Sequence, residues 1–142
     1  MPNKKKKSIG ALVVNQKNQF LLIYQTQHQY WEFPKGGVEK GETDLQTLER
    51  ELKEETGLTK FSLISGFQEK VEFTFRGQNG QLIDKTVVYY LLRLKAGQKI
   101  CLSPEHQGFV WLDSKKALSY LIHDNQRTLL KKAQKLVLLK KP

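Results

Sequence analysis

The run VVYYLL at residues 87–92 is the strongest constraint on what this 142-residue chain can become. Six consecutive apolar or aromatic residues leave no polar face for water, so a strand here must be covered on both sides. A sheet buried on both faces needs helices above and below it. The best helix signal is 43–56, where Thr43 and Gln46 have capping-box spacing and Gly57 stands at the stop position. Residues 114–122 and 126–140 supply two more, the latter with Leu129, Leu130, Ala133, Leu136 and Val137 at helical spacing. Further strands are expected at 9–14, 20–24, 61–67, 71–75 and 109–112. The first two flank NQKNQ and read as a hairpin, RGQNGQ (76–81) reads as a turn, and 31–37, with Pro34, Gly36 and Gly37, reads as a loop. The expectation is an α/β fold, a mixed sheet covered by helices in a single domain over 1–142. Residues 1–8, carrying Lys4, Lys5, Lys6 and Lys7, are expected as a flexible basic tail.

Charge is distributed unevenly. The chain carries +10 overall, yet seven of its 14 acidic residues are Glu39, Glu42, Asp44, Glu49, Glu51, Glu54 and Glu55. With Lys40, Arg50 and Lys53, residues 39–55 hold −4 and the remainder holds +14. A basic body of this kind attracts polyanions: nucleotides, RNA or acidic lipid. Cys101 is alone, so no intramolecular disulfide can form and a reducing compartment is expected. His28, His106 and His123 lack zinc-type spacing. No stretch approaches the ~18 apolar residues of a membrane span. The apolar run 9–14 is too short for a secretory signal, and helix 126–140 is expected to pack on the core. These features fit a cytoplasmic protein with no stable membrane association, as a monomer or a small homo-oligomer.

On a helical wheel the 43–56 segment puts Leu45, Leu48 and Leu52 on a core stripe and Glu51, Glu54 and Glu55 on a neighbouring face. Like charges at these spacings oppose a helix by ~0.2–0.5 kcal/mol per pair. Anions in the last turn cost a further ~0.3–1 kcal/mol each against the helix dipole. A divalent cation would supply the missing counter-charge, and clustered carboxylates are the hard oxygen donors that suit Mg²⁺ or Mn²⁺. Such an ion also binds phosphate, which reconciles an acidic pocket with a basic body.

Gly36, Glu42 and the segment Arg50-Glu51-Leu52-Lys53-Glu54-Glu55-Thr56-Gly57-Leu58 together resemble a complete Nudix box. The resemblance implies the Nudix-type α/β/α sandwich, with a catalytic loop-helix-loop, and metal-dependent hydrolysis of a nucleoside diphosphate linked to a further group. It also implies that Glu51, Glu54 and Glu55 bind metal, that Arg50 steadies a glutamate, that Glu42 supports the loop and that Gly36 permits a tight backbone turn. Outside the box, WEFPKGG, DKTVVYYLLRL and LSPEHQGFVWLDSKKAL are similar to the asymmetrical diadenosine tetraphosphate hydrolases. By that resemblance Lys35 would meet a phosphate and Glu105 would join the metal site. Tyr89 would stack on adenine or else fill the core. Lys85 would contact phosphate or stand exposed at a strand end. The general base is Glu51 or Glu105. Two positions depart from the pattern: Gly37 stands where many animal relatives have His, and no Phe, Tyr or Trp follows Tyr120 as a second adenine wall.

The implied activity is cleavage of dinucleoside polyphosphates, chiefly diadenosine tetraphosphate to ATP and AMP. RNA 5′-pyrophosphate hydrolysis is the alternative. A non-catalytic module that binds nucleotide or RNA is the third possibility, and the intact glutamate set argues against it.

Overall fold

The computed structural model describes residues 2–139. Its centre is a parallel pair. Strand β1 (Lys4–Val14) runs beside β6 (Leu82–Leu94) from Lys4↔Ile83 to Val14↔Arg93. Strand β5 (Phe61–Arg76) continues the sheet antiparallel to β6. On its other edge β1 is shared. The short β4 (Lys35–Gly37) covers Ser8, Ile9 and Gly10, and β2 (Phe20–Gln25) touches β1 only at Val14↔Phe20. β2 then lies between β3 (Tyr30–Glu32) and β7 (His106–Leu112), giving a seven-stranded mixed sheet among the described residues.

Alternation along β1 and β6 assigns the two faces. Ile9, Ala11, Val13, Val88 and Leu92 pack with Leu48 and Leu52 of helix α1 (Asp44–Thr56). Leu12, Val14, Val87 and Leu91 pack with Leu129, Leu130, Ala133 and Val137 of α3 (Asp124–Leu139), beside the short α2 (Ser114–Tyr120). The apolar run 87–92 is therefore covered on both sides, with only Tyr90 partly exposed. This is the expected α/β/α sandwich, and α3 lies on the core.

Several local expectations change. The hairpin from 9–14 to 20–24 reduces to one residue pair, because β2 pairs more extensively with β7 than with β1. The 31–37 loop contains β3 and β4, since its backbone is within reach of β2 and β1. The two strands 61–67 and 71–75 are one long strand. An irregularity between Leu63 and Gln68 interrupts its register, with Gly66 at φ +91° supplying the left-handed residue. Residues 4–7, expected in a tail, are strand residues paired with residues 83–86. Leu45 is 44% exposed, so the stripe of α1 is Leu48 and Leu52, with Thr47 and Thr56 also buried. The expected end of the last helix at residue 140 lies outside the described residues.

Leu52→Ala should cost about 2–5 kcal/mol in urea unfolding, the usual range for emptying a buried leucine site. Leu45→Ala should cost under about 0.5 kcal/mol. Equal losses would contradict the burial pattern.

Candidate active site

Local rules position the acidic helix. The Thr43 hydroxyl accepts from Gln46 N–H at 3.2 Å, and Thr43 N–H donates to the Gln46 side chain at 2.9 Å. At the other end Gly57 adopts φ +77° and its N–H donates to Lys53 O. The last carbonyls of α1 meet a loop from far along the chain: Cys101 N–H donates to Thr56 O at 2.8 Å and Ser103 N–H to Glu55 O at 3.0 Å. These bonds satisfy helix-end acceptors that would otherwise be orphaned. They also draw the Glu105 loop to the acidic end of the helix.

Arg50 organises the opposite side. Its Nε and Nη2 hold both oxygens of Glu42 at 2.7 and 2.9 Å. Its Nη1 donates to Glu51 at 2.7 Å and to Glu54 at 3.3 Å, and Nη2 also reaches Gly37 O at 2.8 Å. Glu42 further accepts from Glu39 N–H and the Thr47 hydroxyl. Arg50 first, then the Glu39 backbone bond, lowers the Glu42 carboxyl to about 2. The arginine rises above its ordinary value chiefly through Glu42. Glu51 stands directly over Gly36, where an added Cβ would lie 1.8 Å from the Glu51 carboxyl carbon. Any side chain at this position would push Glu51 aside.

Glu55 is different. It is buried, its Oε1 has no hydrogen-bond partner, and its carboxyl is raised to about 8 by burial, then by Glu51 and Glu32. Glu51 is raised too, by burial first, with Arg50 working against the shift. Donor atoms of Glu55, Glu105 and His106 lie within 4.8 Å of one another. His106 is itself committed on both ring nitrogens, to Glu32 Oε2 at 3.2 Å and Ser103 Oγ at 3.4 Å. The carboxylates are therefore the open donors. An unpartnered buried carboxylate oxygen beside further acidic side chains fits a hard divalent cation.

The four glutamates singled out from the sequence fall in two arms. Glu51 and Glu54 lean on Arg50, while Glu55 and Glu105 face His106. Glu32 was not singled out by sequence reasoning. Burial opposes its ionisation, yet His106 and Lys35 together lower its pKa. Its only sequence signal is an acid inside the aromatic stretch Trp31-Glu32-Phe33, three residues before Lys35.

Lys35 joins this site to a cavity of about 260 Å³ whose walls include Tyr30, Trp31, Phe73, Val87 and Tyr89. Burial works against the charge of Lys35, but Glu32, 3.3 Å away, and two tyrosines raise its pKa on balance. Tyr89 is 2% exposed, packed over Gly10 and edge-on to Phe33, with its hydroxyl accepting from Gln126. Its burial fits the core ring of the two expected roles, while it also forms part of the cavity wall. Lys85 is half-buried and lies outside this cavity.

The fold and the site together define a known class. Residues 4–133 match the NUDIX domain, and the chain belongs to that family of hydrolases. Among curated relatives, the asymmetrical bis(5′-nucleosyl)-tetraphosphatase of Mus musculus is 37% identical over 103 residues, 70% of this chain and 67% of that one. An RNA pyrophosphohydrolase of Nitratiruptor is 35% identical over 98 residues, 64% of this chain and 63% of that one. The chain thus spans about two thirds of the length of these relatives. Among solved structures, a C. elegans Ap4A hydrolase binary complex superposes with a TM-score of 0.84 at 26% identity, covering 95% of this chain and 99% of that one.

Two outcomes follow from the site. Gly36→Ala should displace Glu51 and lower kcat by at least ~10-fold, while far-ultraviolet circular dichroism stays native. Glu55 binds its proton more tightly folded than unfolded, so the metal-free protein should lose stability as pH rises from about 4.5 to about 8. Calorimetric melting in EDTA should show this fall, and Glu55→Gln should flatten it.

Proposed function

We propose that this Nudix hydrolase cleaves dinucleoside polyphosphates asymmetrically, chiefly diadenosine tetraphosphate to ATP and AMP. The observation that carries the proposal is the placement of Lys35. It lines the aromatic cavity and pairs with Glu32, which bonds His106, whose Nε2 lies 4.0 Å from Glu55 of the carboxylate cluster. Planar rings for a base, a cation for phosphate and acidic donors for metal therefore follow one another in space. The names of the mouse and C. elegans relatives agree with this order.

A Nudix hydrolase needs a divalent metal, and the oxygen-only donors point to Mg²⁺ or Mn²⁺. Glu51, Glu54, Glu55 and Glu105 would hold it. When bound, such an ion neutralises phosphate charge and makes water more acidic. The chain itself does the positioning. Arg50 and Glu42 lock the loop to the helix, so Glu51 and Glu54 are oriented before substrate arrives. Lys35 neutralises a phosphate oxygen beside the cavity. The general base is Glu105: Glu51 has one oxygen bound to Arg50 and crowds Gly36, whereas Glu105 is exposed on a loop. Its backbone is anchored by Thr26 N–H, so its carboxylate can approach water without losing its place.

RNA 5′-pyrophosphate hydrolysis is the second reading, favoured by the lysines of β1 and by relatives named for that activity. A silent binding module is disfavoured by the complete carboxylate set. The lone exposed Cys101 agrees with a cytoplasmic setting, and among the described residues no helix is long and apolar enough to cross a membrane.

Hydrolysis in ¹⁸O-water should yield ATP and AMP with the label in AMP. Two molecules of ADP, or full turnover in EDTA, would overturn the proposal. Glu105→Gln should lower kcat by at least ~10²-fold with substrate binding retained. A near-normal kcat would return the base to Glu51.

A further inference from the structure

β5 ends the strand order and pairs only with β6. Residues 68–76 of β5 pair with β6 without interruption, so a regular row of backbone N–H and C=O groups faces outward along the other side. Residues 4–7 of β1 also extend past their neighbour β4, but they are four lysines in a row, and such like charges keep a second strand away. The β5 edge has no such guard. Over residues 68–76, Glu69 and Glu72 balance Lys70 and Arg76, in a chain that carries +10 overall. No proline or glycine breaks this stretch. Two of its rings stand in water: Phe73 is 46% exposed and Phe75 39%, with centroids 6.1 Å apart.

The stretch is complementary to itself in one register. In an antiparallel pair alternate residues turn their N–H and C=O toward the neighbour, so two copies related by a two-fold axis must be centred on a residue. Centring on Glu72 sets that acid against itself, and centring on Phe73 sets Lys70 against Arg76. Centring on Val71 sets Phe75 against Phe67, which is buried and lies within the register irregularity. Centring on Phe75 leaves Phe73 against Gly77. Centring on Thr74 sets Phe73 against the partner's Phe75 and Glu72 against the partner's Arg76, each twice by symmetry. Glu72 is exposed, and Arg76 spends one donor on Gly80 O at 2.6 Å, which leaves the rest of its fork for an acid.

We propose that two copies of this chain pair along the 72–76 edge of β5, antiparallel and centred on Thr74, so that the sheet of one protomer continues into the next. Paired residues project to the same face of a sheet. The partner's Phe75 therefore lies beside Phe73, which is a wall residue of the aromatic cavity. Each protomer adds a ring at the rim of the other's cavity. A pairing this short belongs to the small, reversible class of interfaces. It does not depend on which nucleotide the cavity takes.

Sedimentation equilibrium of the full chain should show monomer and dimer in exchange, with a dissociation constant on the order of 10² µM. Glu72→Arg and Arg76→Glu should each weaken association at least ~10-fold, since each sets like charges opposite one another twice. The two variants move net charge in opposite directions, so general repulsion between basic copies cannot weaken both. Combining them restores both pairs and the original net charge. The double variant should return to within about threefold of wild type. Both side chains are exposed, so thermal melting of all three variants should stay close to wild type. A wild-type chain that remains monomeric up to ~1 mM would overturn the proposal. So would a dimer indifferent to both single reversals, which places the contact elsewhere, or a double variant no tighter than the singles.

Discussion

One guanidinium holds the acidic loop-helix-loop together. Arg50 spans Glu42, Glu51, Glu54 and the Gly37 carbonyl, so the loop entering the helix and the helix itself share one cation. Without it, Glu42 and Glu51 would repel across the same space. Arginine suits the task because its planar fork satisfies several acceptors at fixed angles, which a lysine point charge cannot do. Much of the pairing is exposed to water, so its importance lies in geometry more than in stability.

Glu55 shows the opposite economy. Its buried, partly orphaned carboxylate is unfavourable for a metal-free fold, and the neighbouring Glu51 and Glu32 make it worse. The structure tolerates this because Leu48 and Leu52 anchor the helix on the sheet, and because the 101–106 loop closes the helix C-terminus. A site built to take up a cation keeps a local electrostatic conflict that packing elsewhere sustains. The Glu32–His106–Ser103 chain holds the loop side, and so fixes where Glu105 can stand.

Much of the architecture was legible because it depends on short-range rules. The capping box at Thr43, the stop at Gly57, the apolar run in β6 and the stripe on α3 each appear within a few residues. Errors arose where pairing is non-local. β2 left β1 for β7, some ninety residues away in sequence, and no turn signal near NQKNQ could show it. Residues 4–7 became strand because residues 83–86 offered a free edge, although their own composition reads as tail. Leu45 fell outside the core because the sheet covers only part of the stripe that the helical wheel allowed.

The sequence by itself determined the acidic helix, its caps, the spacing of its glutamates and the family to which they belong. All of these are properties of periodicity along one segment. Only the tertiary structure decided that Glu32 and His106 join the site, that Tyr89 is buried in the cavity wall and that Lys6 stands opposite Lys85. Each depends on register between strands distant in the chain, and register is set by the packing of whole faces, which no local pattern encodes.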